Sequence, residues 1–178
     1  MAIEQREPVC TARPFAHVNA LSAAGANRSA IEIVPATIEH ARRIDLRPGD
    51  AREIEALGVG LPEALEMSMS RAVWADAYLL DGAVAALVGV SVQSILGGEG
   101  VPWLLTGRPV DRCKRDFLRL TKAGVARMRR QFPVLTNFVH ADYLQSVRWL
   151  RWLGFTIAPA QPFGINGALF HRATLRTP

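Results

Sequence analysis

The chain has 178 residues, 49% of them apolar and 21% charged, a balance that excludes disordered and fibrous classes and suits one domain with a real core. The longest apolar run, Ala83–Val90, is far short of a membrane span, and Glu4 and Glu7 break any secretory signal. Cys10 and Cys113 stand too far apart for a disulfide framework or a zinc signature, which points to a reducing compartment.

Residues 1–30 show no periodicity and carry the breakers Pro8, Pro14, Gly25 and Asn27. This N-terminal arm is expected to be disordered alone and to be held by a protein assembly. The folded domain is expected over 31–178. Ile31–Val34 reads as a strand. Thr37 caps a helix running to about Leu46, Asp50 caps a short helix Ala51–Leu57, and Leu61–Ala72 forms another with Pro62 in its first turn. The period then changes. Val73–Leu80 and Ala83–Ser94 are strands joined by the tight turn Asp81-Gly82, and Val101–Thr106 completes a meander. Arg112–Phe132 is the longest helix, with Phe117, Leu120, Gly124, Met128 and Phe132 forming its buried stripe. Val134–His140 is a strand, Tyr143–Leu153 a helix stopped by Gly154, and Phe155–Ala158 and Ala168–Thr174 the last strands. The order βααβββαβαββ implies an α/β domain with a mixed, mostly antiparallel sheet flanked by helices.

Charge is unevenly placed. The first 107 residues carry a net −5 and the remaining 71 a net +10, of which residues 108–130 supply +7. Such a split suggests an acidic partner for the basic helix or contact between copies. Arg115, Arg119 and Arg129 are candidate contacts to a partner or to DNA phosphates, although the one aromatic of the segment, Phe117, lies on the apolar stripe and argues against base stacking. Trp149 and Trp152, alternating with Arg148 and Arg151, are candidate anchors of a protein–protein contact. The four histidines have no metal-ligand spacing, and neither a nucleophile elbow nor a P-loop appears. Cys113 lies among Arg112, Lys114 and Arg115, where a reactive thiolate is possible in principle but an inert half-buried thiol is the better reading.

The element order and the run Ser146-Val147-Arg148-Trp149-Leu150-Arg151-Trp152-Leu153-Gly154-Phe155 resemble the GNAT (GCN5-related N-acetyltransferase) fold, in which a late helix ends in Leu-Gly-Phe. Within Trp103–Phe155 the pattern of Trp-Leu-Leu-Thr, Lys114-Arg115-Asp116-Phe117, Asn137-Phe138-Val139 and the tryptophan helix also resembles the GNAT-like internal virion proteins of short-tailed bacteriophages. The first resemblance implies an acetyl-CoA site in which backbone N–H groups of an Arg/Gln-x-x-Gly-x-Gly/Ala loop hold the diphosphate. Here that stretch is Thr106-Gly107-Arg108-Pro109-Val110-Asp111-Arg112. It lacks Gly-x-Gly, Pro109 has no N–H, and Asp111 adds negative charge. Gly107, Arg108 and Arg112 are the residues left to meet the cofactor if it binds. The tyrosine acid of many such enzymes corresponds to Leu150, and their asparagine to Tyr143. Glu99 or His140, with Asp142 beside it, is the candidate base. The expectation drawn from these departures is a non-enzymatic phage virion protein without cofactor, in the virion or the host cytoplasm during assembly, docking to other virion proteins in multiple copies. The alternative is an acetyl-CoA-dependent N-acetyltransferase.

Overall fold

The computed structural model describes residues 31–92 and 98–177; the expected arm 1–30 lies outside them. The elements are β1 (Ile31–Pro35), α1 (Ile38–Arg43), α2 (Pro48–Leu57), α3 (Leu61–Ser70), β2 (Ala72–Leu80), β3 (Ala83–Val92), β4 (Glu99–Thr106), a 3-10 helix (Arg108–Arg112), α4 (Lys114–Arg129), β5 (Val134–His140), α5 (Leu144–Trp152), β6 (Thr156–Pro162), a second 3-10 turn (Ile165–Gly167) and β7 (Leu169–Arg176). Three helices separate β1 from β2, as the reading along the chain expects, although the order βααβββαβαββ counts two.

The seven strands form one sheet in the order β1-β2-β3-β4-β5-β7-β6. All neighbours are antiparallel except β4 and β5. That parallel pair meets only at Glu99–Val134 and Gly100–Leu135, after which the two strands diverge. The sheet is therefore split along its length by a V, closed at Gly100 and open at Thr106 and His140.

Each face of the sheet carries its own core. On one face α1 and α3 bury Ala41, Ile44 and Leu65 against Ala77, Val84 and Leu87. On the other, α4 buries Phe117 and Met128 against Tyr78, Val88, Val90 and Leu135, with Phe155 behind them. Alternation along β4 divides its side chains accordingly: Trp103 and Leu105 join the first cluster and Leu104 the second. The Asp81-Gly82 hairpin turn has both residues at positive φ, 51° and 76°, as a two-residue turn of this kind requires.

Three local expectations are corrected. Asp50 does not cap α2; the helix starts at Pro48 behind Arg47, and the Asp50 carboxylate reaches across to β4 instead. The long helix begins at Lys114, because Pro109 and the carbonyl-bound N–H groups of Val110 and Cys113 wind 108–112 into a 3-10 helix. The strand β6 continues to Pro162, at the sheet edge where proline is tolerated.

Candidate active site

The V between β4 and β5 opens a cavity of about 650 Å³ that passes through the sheet, since its walls include α2 and α3 on one face and α4 and α5 on the other. The β4 edge facing the V can be read residue by residue. Gly107 N–H donates to Ala85 O on β3, so Thr106, Leu104 and Pro102 turn their backbone groups toward the V. Pro102 O accepts from Asn137 Nδ2 at 2.6 Å, a bridge across the V. Thr106 N–H donates to Asp50 Oδ1 at 3.1 Å, and Thr106 O accepts from Arg47 N–H at 2.9 Å. Leu104 alone keeps its N–H and C=O directed into the cavity.

Helix α2 lies at the open end of the V and ties its two arms together. The buried Asp50 carboxylate accepts from Thr106 Oγ1 at 2.6 Å on the β4 side and from Tyr143 Oη at 3.0 Å after β5. Gly49 makes room for the Tyr143 ring, against which any Cβ would clash. Burial raises the Asp50 carboxyl above its ordinary value despite these donors, and burial together with Asp50 raises the Tyr143 phenol.

One turn along α2, Glu53 lines the same cavity. Its Oε1 accepts the backbone N–H of His140 at 3.1 Å. Burial, reinforced by the Asp50 charge, pushes the Glu53 carboxyl up to about 7. A carboxylate with that affinity for protons, facing a cavity, is suited to general-base work near neutral pH. Sequence reasoning missed Glu53 because it reads as an ordinary helix-surface acid; only the return of β5 to α2 buries it.

The sequence candidates fall in different places. His140 lies beside Glu53 in a small adjoining cavity of about 90 Å³. Its ring Nδ1 accepts from Asp142 N–H at 3.2 Å, which puts the ring proton on Nε2. Glu99 sits at the closed end of the V, paired with Val134, and does not line the cavity. Gly107 is fixed by packing: a Cβ there would stand 2.5 Å from Val84 O. Arg108 pairs with Asp45 at 3.3 Å and Arg112 with Asp81 at 2.7 Å, both exposed. The N–H groups of Gly107, Arg108, Val110 and Cys113 are all bonded within the protein. None of these four N–H groups is free to grip a diphosphate. The Cys113 thiol is buried and raised by that burial, so it is not a reactive thiolate.

Of the partner-contact candidates, Arg119 pairs with Asp116 at 3.4 Å and Arg115 is exposed at the start of α4. Arg129 is half-buried, its Nε without an acceptor. Trp149 is turned inward, stacked on Phe117 with centroids 6.4 Å apart, and lines the cavity. Trp152 is exposed, with Lys122 Nζ 5.9 Å from its ring centre.

No family model matches the sequence. No curated protein matches it. Solved structures do. Ard1 from Thermoplasma volcanium superposes with a TM-score of 0.60 at 15% identity, over 83% of this chain and 98% of its own. The yncA protein of Salmonella typhimurium, assigned as an acetyltransferase and solved with its cofactor acetyl-CoA, gives 0.59 at 14%, over 83% and 94%. A spermidine N-acetyltransferase chimera from Vibrio cholerae gives 0.57 at 11%, over 82% and 95%.

The chain has the GNAT fold. The expectation of a non-enzymatic phage virion protein is overturned: similar solved structures are described as acetyltransferases, which favours the alternative reading. The departures at Pro109 and Leu150 misled because they concern one loop and one side chain, whereas the V and its cavity are intact. Among the described residues, no helix is long and apolar enough to cross a membrane, and no group of three or more potential metal ligands occurs.

Proposed function

We propose that this chain is an N-acyltransferase that uses a coenzyme A thioester and a primary amine. The observation that carries the reading is the cavity through the split sheet, with Glu53 and the free Leu104 backbone facing into it.

The residues present fit the thioester arm. An extended chain lying along β4 would find one strand-like partner, Leu104, between positions closed by Asn137 and by Asp50. The fit at the diphosphate differs from the usual loop. Here Arg108 and Arg112, exposed on the 3-10 helix, would supply charge in place of backbone donors, exchanging Asp45 and Asp81 for phosphate. The cofactor would supply an activated acyl carbonyl and a thiol leaving group.

The chain's own part is positioning and proton removal. An amine entering from the α2 face meets Glu53, whose carboxylate takes the amine proton as the nitrogen attacks. The His140 backbone N–H holds that carboxylate by one oxygen. The Asp50–Thr106–Tyr143 cluster fixes the width of the open end. Leu150 carries no proton to give, so a thiol leaving group would be neutralised from solvent rather than from that position, which ordinary thiol acidity permits.

Calorimetry with acetyl-CoA should give saturable binding, and thiol release over a panel of primary amines should exceed the uncatalysed rate. Absence of both would overturn the proposal. Glu53→Gln should keep binding while lowering turnover by about 100-fold or more.

A further inference from the structure

Resting on that reading, we infer that the amine this chain acylates also carries a carboxylate, set several bonds away from its nitrogen, and that Arg71 receives it. Four charged side chains line the cavity: Arg47, Asp50, Glu53 and Arg71. Three of them have partners within the protein. Arg47 pairs with Asp111 at 3.4 Å, Asp50 accepts from Thr106 and Tyr143, and Glu53 accepts the backbone N–H of His140. Among the described residues, no group bonds or pairs with the Arg71 side chain. Its place on the wall is set by the helix. Ala64, Ser68 and Arg71 fall at helical spacing along α3 and its C-terminal residue, and all three line the cavity. A guanidinium keeps its charge at any working pH and matches a planar carboxylate.

The height of Arg71 in the fold says which guest supplies the anion. Arg71 O accepts from Val92 N–H, and Val92 stands opposite Gly100, so Arg71 is level with the closed end of the V. Arg108 and Arg112, given above to the diphosphate, follow Thr106 at the open end, roughly 20 Å away along β4. Leu104, the backbone partner left for the thioester arm, lies between them. Arg71 is thus on the far side of Leu104 from the diphosphate, on the α2–α3 face from which the amine enters. Glu53 is bonded to His140, five residues past Leu135, the partner of Gly100, and so is level with Leu105. Five residues of strand set Glu53 and Arg71 roughly 16 Å apart in height, a gap that the long arginine side chain shortens without closing. An α-amino acid is too short to meet both groups. An extended dipeptide spans about 7 Å, and an ω-amino acid of about six carbons matches it. The apolar side chains of Ile54, Leu57 and Met67 line the same face and suit such a spacer.

The test is the rate of thiol release from acetyl-CoA by the full chain with hexylamine, 6-aminohexanoate, 4-aminobutanoate and 1,6-diaminohexane. The kcat/KM for 6-aminohexanoate should exceed that for hexylamine about tenfold, the low end for a charge-assisted contact because Arg71 is exposed. The shorter 4-aminobutanoate should gain less. Arg71→Ala should bring 6-aminohexanoate down to hexylamine, through KM rather than kcat, and Arg71→Glu should turn the preference toward 1,6-diaminohexane. Hexylamine turnover, which needs no anion contact, should stay unchanged in both variants and shows that they fold. Equal kcat/KM for hexylamine and 6-aminohexanoate in the parent overturns this inference and leaves the proposed function standing. A carboxylate preference that survives Arg71→Ala overturns it too, since the anion would then be held elsewhere, and a larger gain for 4-aminobutanoate overturns the span. Failure to turn over any amine overturns both readings.

Discussion

Glu53, half-buried, sits three residues after the buried Asp50 on one helix, and the Asp50 charge adds to the cost of ionising it. The folded protein holds a proton on Glu53 up to about pH 7, whereas the unfolded chain releases it near 4.5. Stability from this group is therefore lost as pH climbs through that window and is flat above it. Glu53→Gln should remove the slope, so the variant should unfold at higher temperature than the parent above pH 7 while losing turnover. Rate should rise with the ionisation of one group near pH 7. Asp50→Asn acts differently. It retains an acceptor for one donor but gives up the charge that Thr106 and Tyr143 share, and should cost about 2 kcal/mol in denaturant unfolding. It also removes a charge that holds Glu53 up, so the rate profile should move to lower pH.

At the scale of elements, α4 is fastened to the meander by Arg127, which bonds Asp76 on β2 at 3.0 Å and lies 3.9 Å over the Trp74 ring. Burial raises the Asp76 carboxyl in spite of that partner. Arg127→Met should destabilise by about 2 kcal/mol at pH 7, less than a fully buried pair because both side chains keep some solvent, and the loss should shrink toward pH 4 as Asp76 takes up a proton. Urea unfolding at the two pH values reads this directly. The same helix shows what could be read beforehand. Its stripe of Phe117 and Met128, continued by Phe132 just past the helix end, recurs at helical spacing, and the structure buries all three. The hairpin at Asp81-Gly82 and the stop at Gly154 were legible for similar local reasons. The V was not. Where two parallel strands part company depends on contacts between residues more than thirty positions apart, such as Asn137 with Pro102, and no local pattern encodes them. Nor was Glu53 legible, since its environment is made by β5. The positive charge of 108–130 was legible, but the structure shows Arg108, Arg112, Lys114, Arg119 and Arg127 each beside a carboxylate, which the running sum of charges hides.

On the scale of the molecule, the unit 31–178 contains every strand pairing described, beginning with Ile31 opposite Leu80. A chain truncated to 31–178 should unfold in one cooperative calorimetric transition. Binding of a thioester that recruits Arg108 and Arg112 should weaken as salt rises, because those exposed charges are screened. The two half-sheets, β1–β4 and β5–β7–β6, share only two positions of ladder and the cross-bridges of Asn137 and Asp50. One consequence concerns isotope exchange. In the middle of a sheet, the Leu104 amide should trade its hydrogen for deuterium far faster than Leu105, whose N–H is turned toward β3. A guest lying in the gap would slow that one amide, making it a built-in reporter of occupancy that needs neither dye nor turnover.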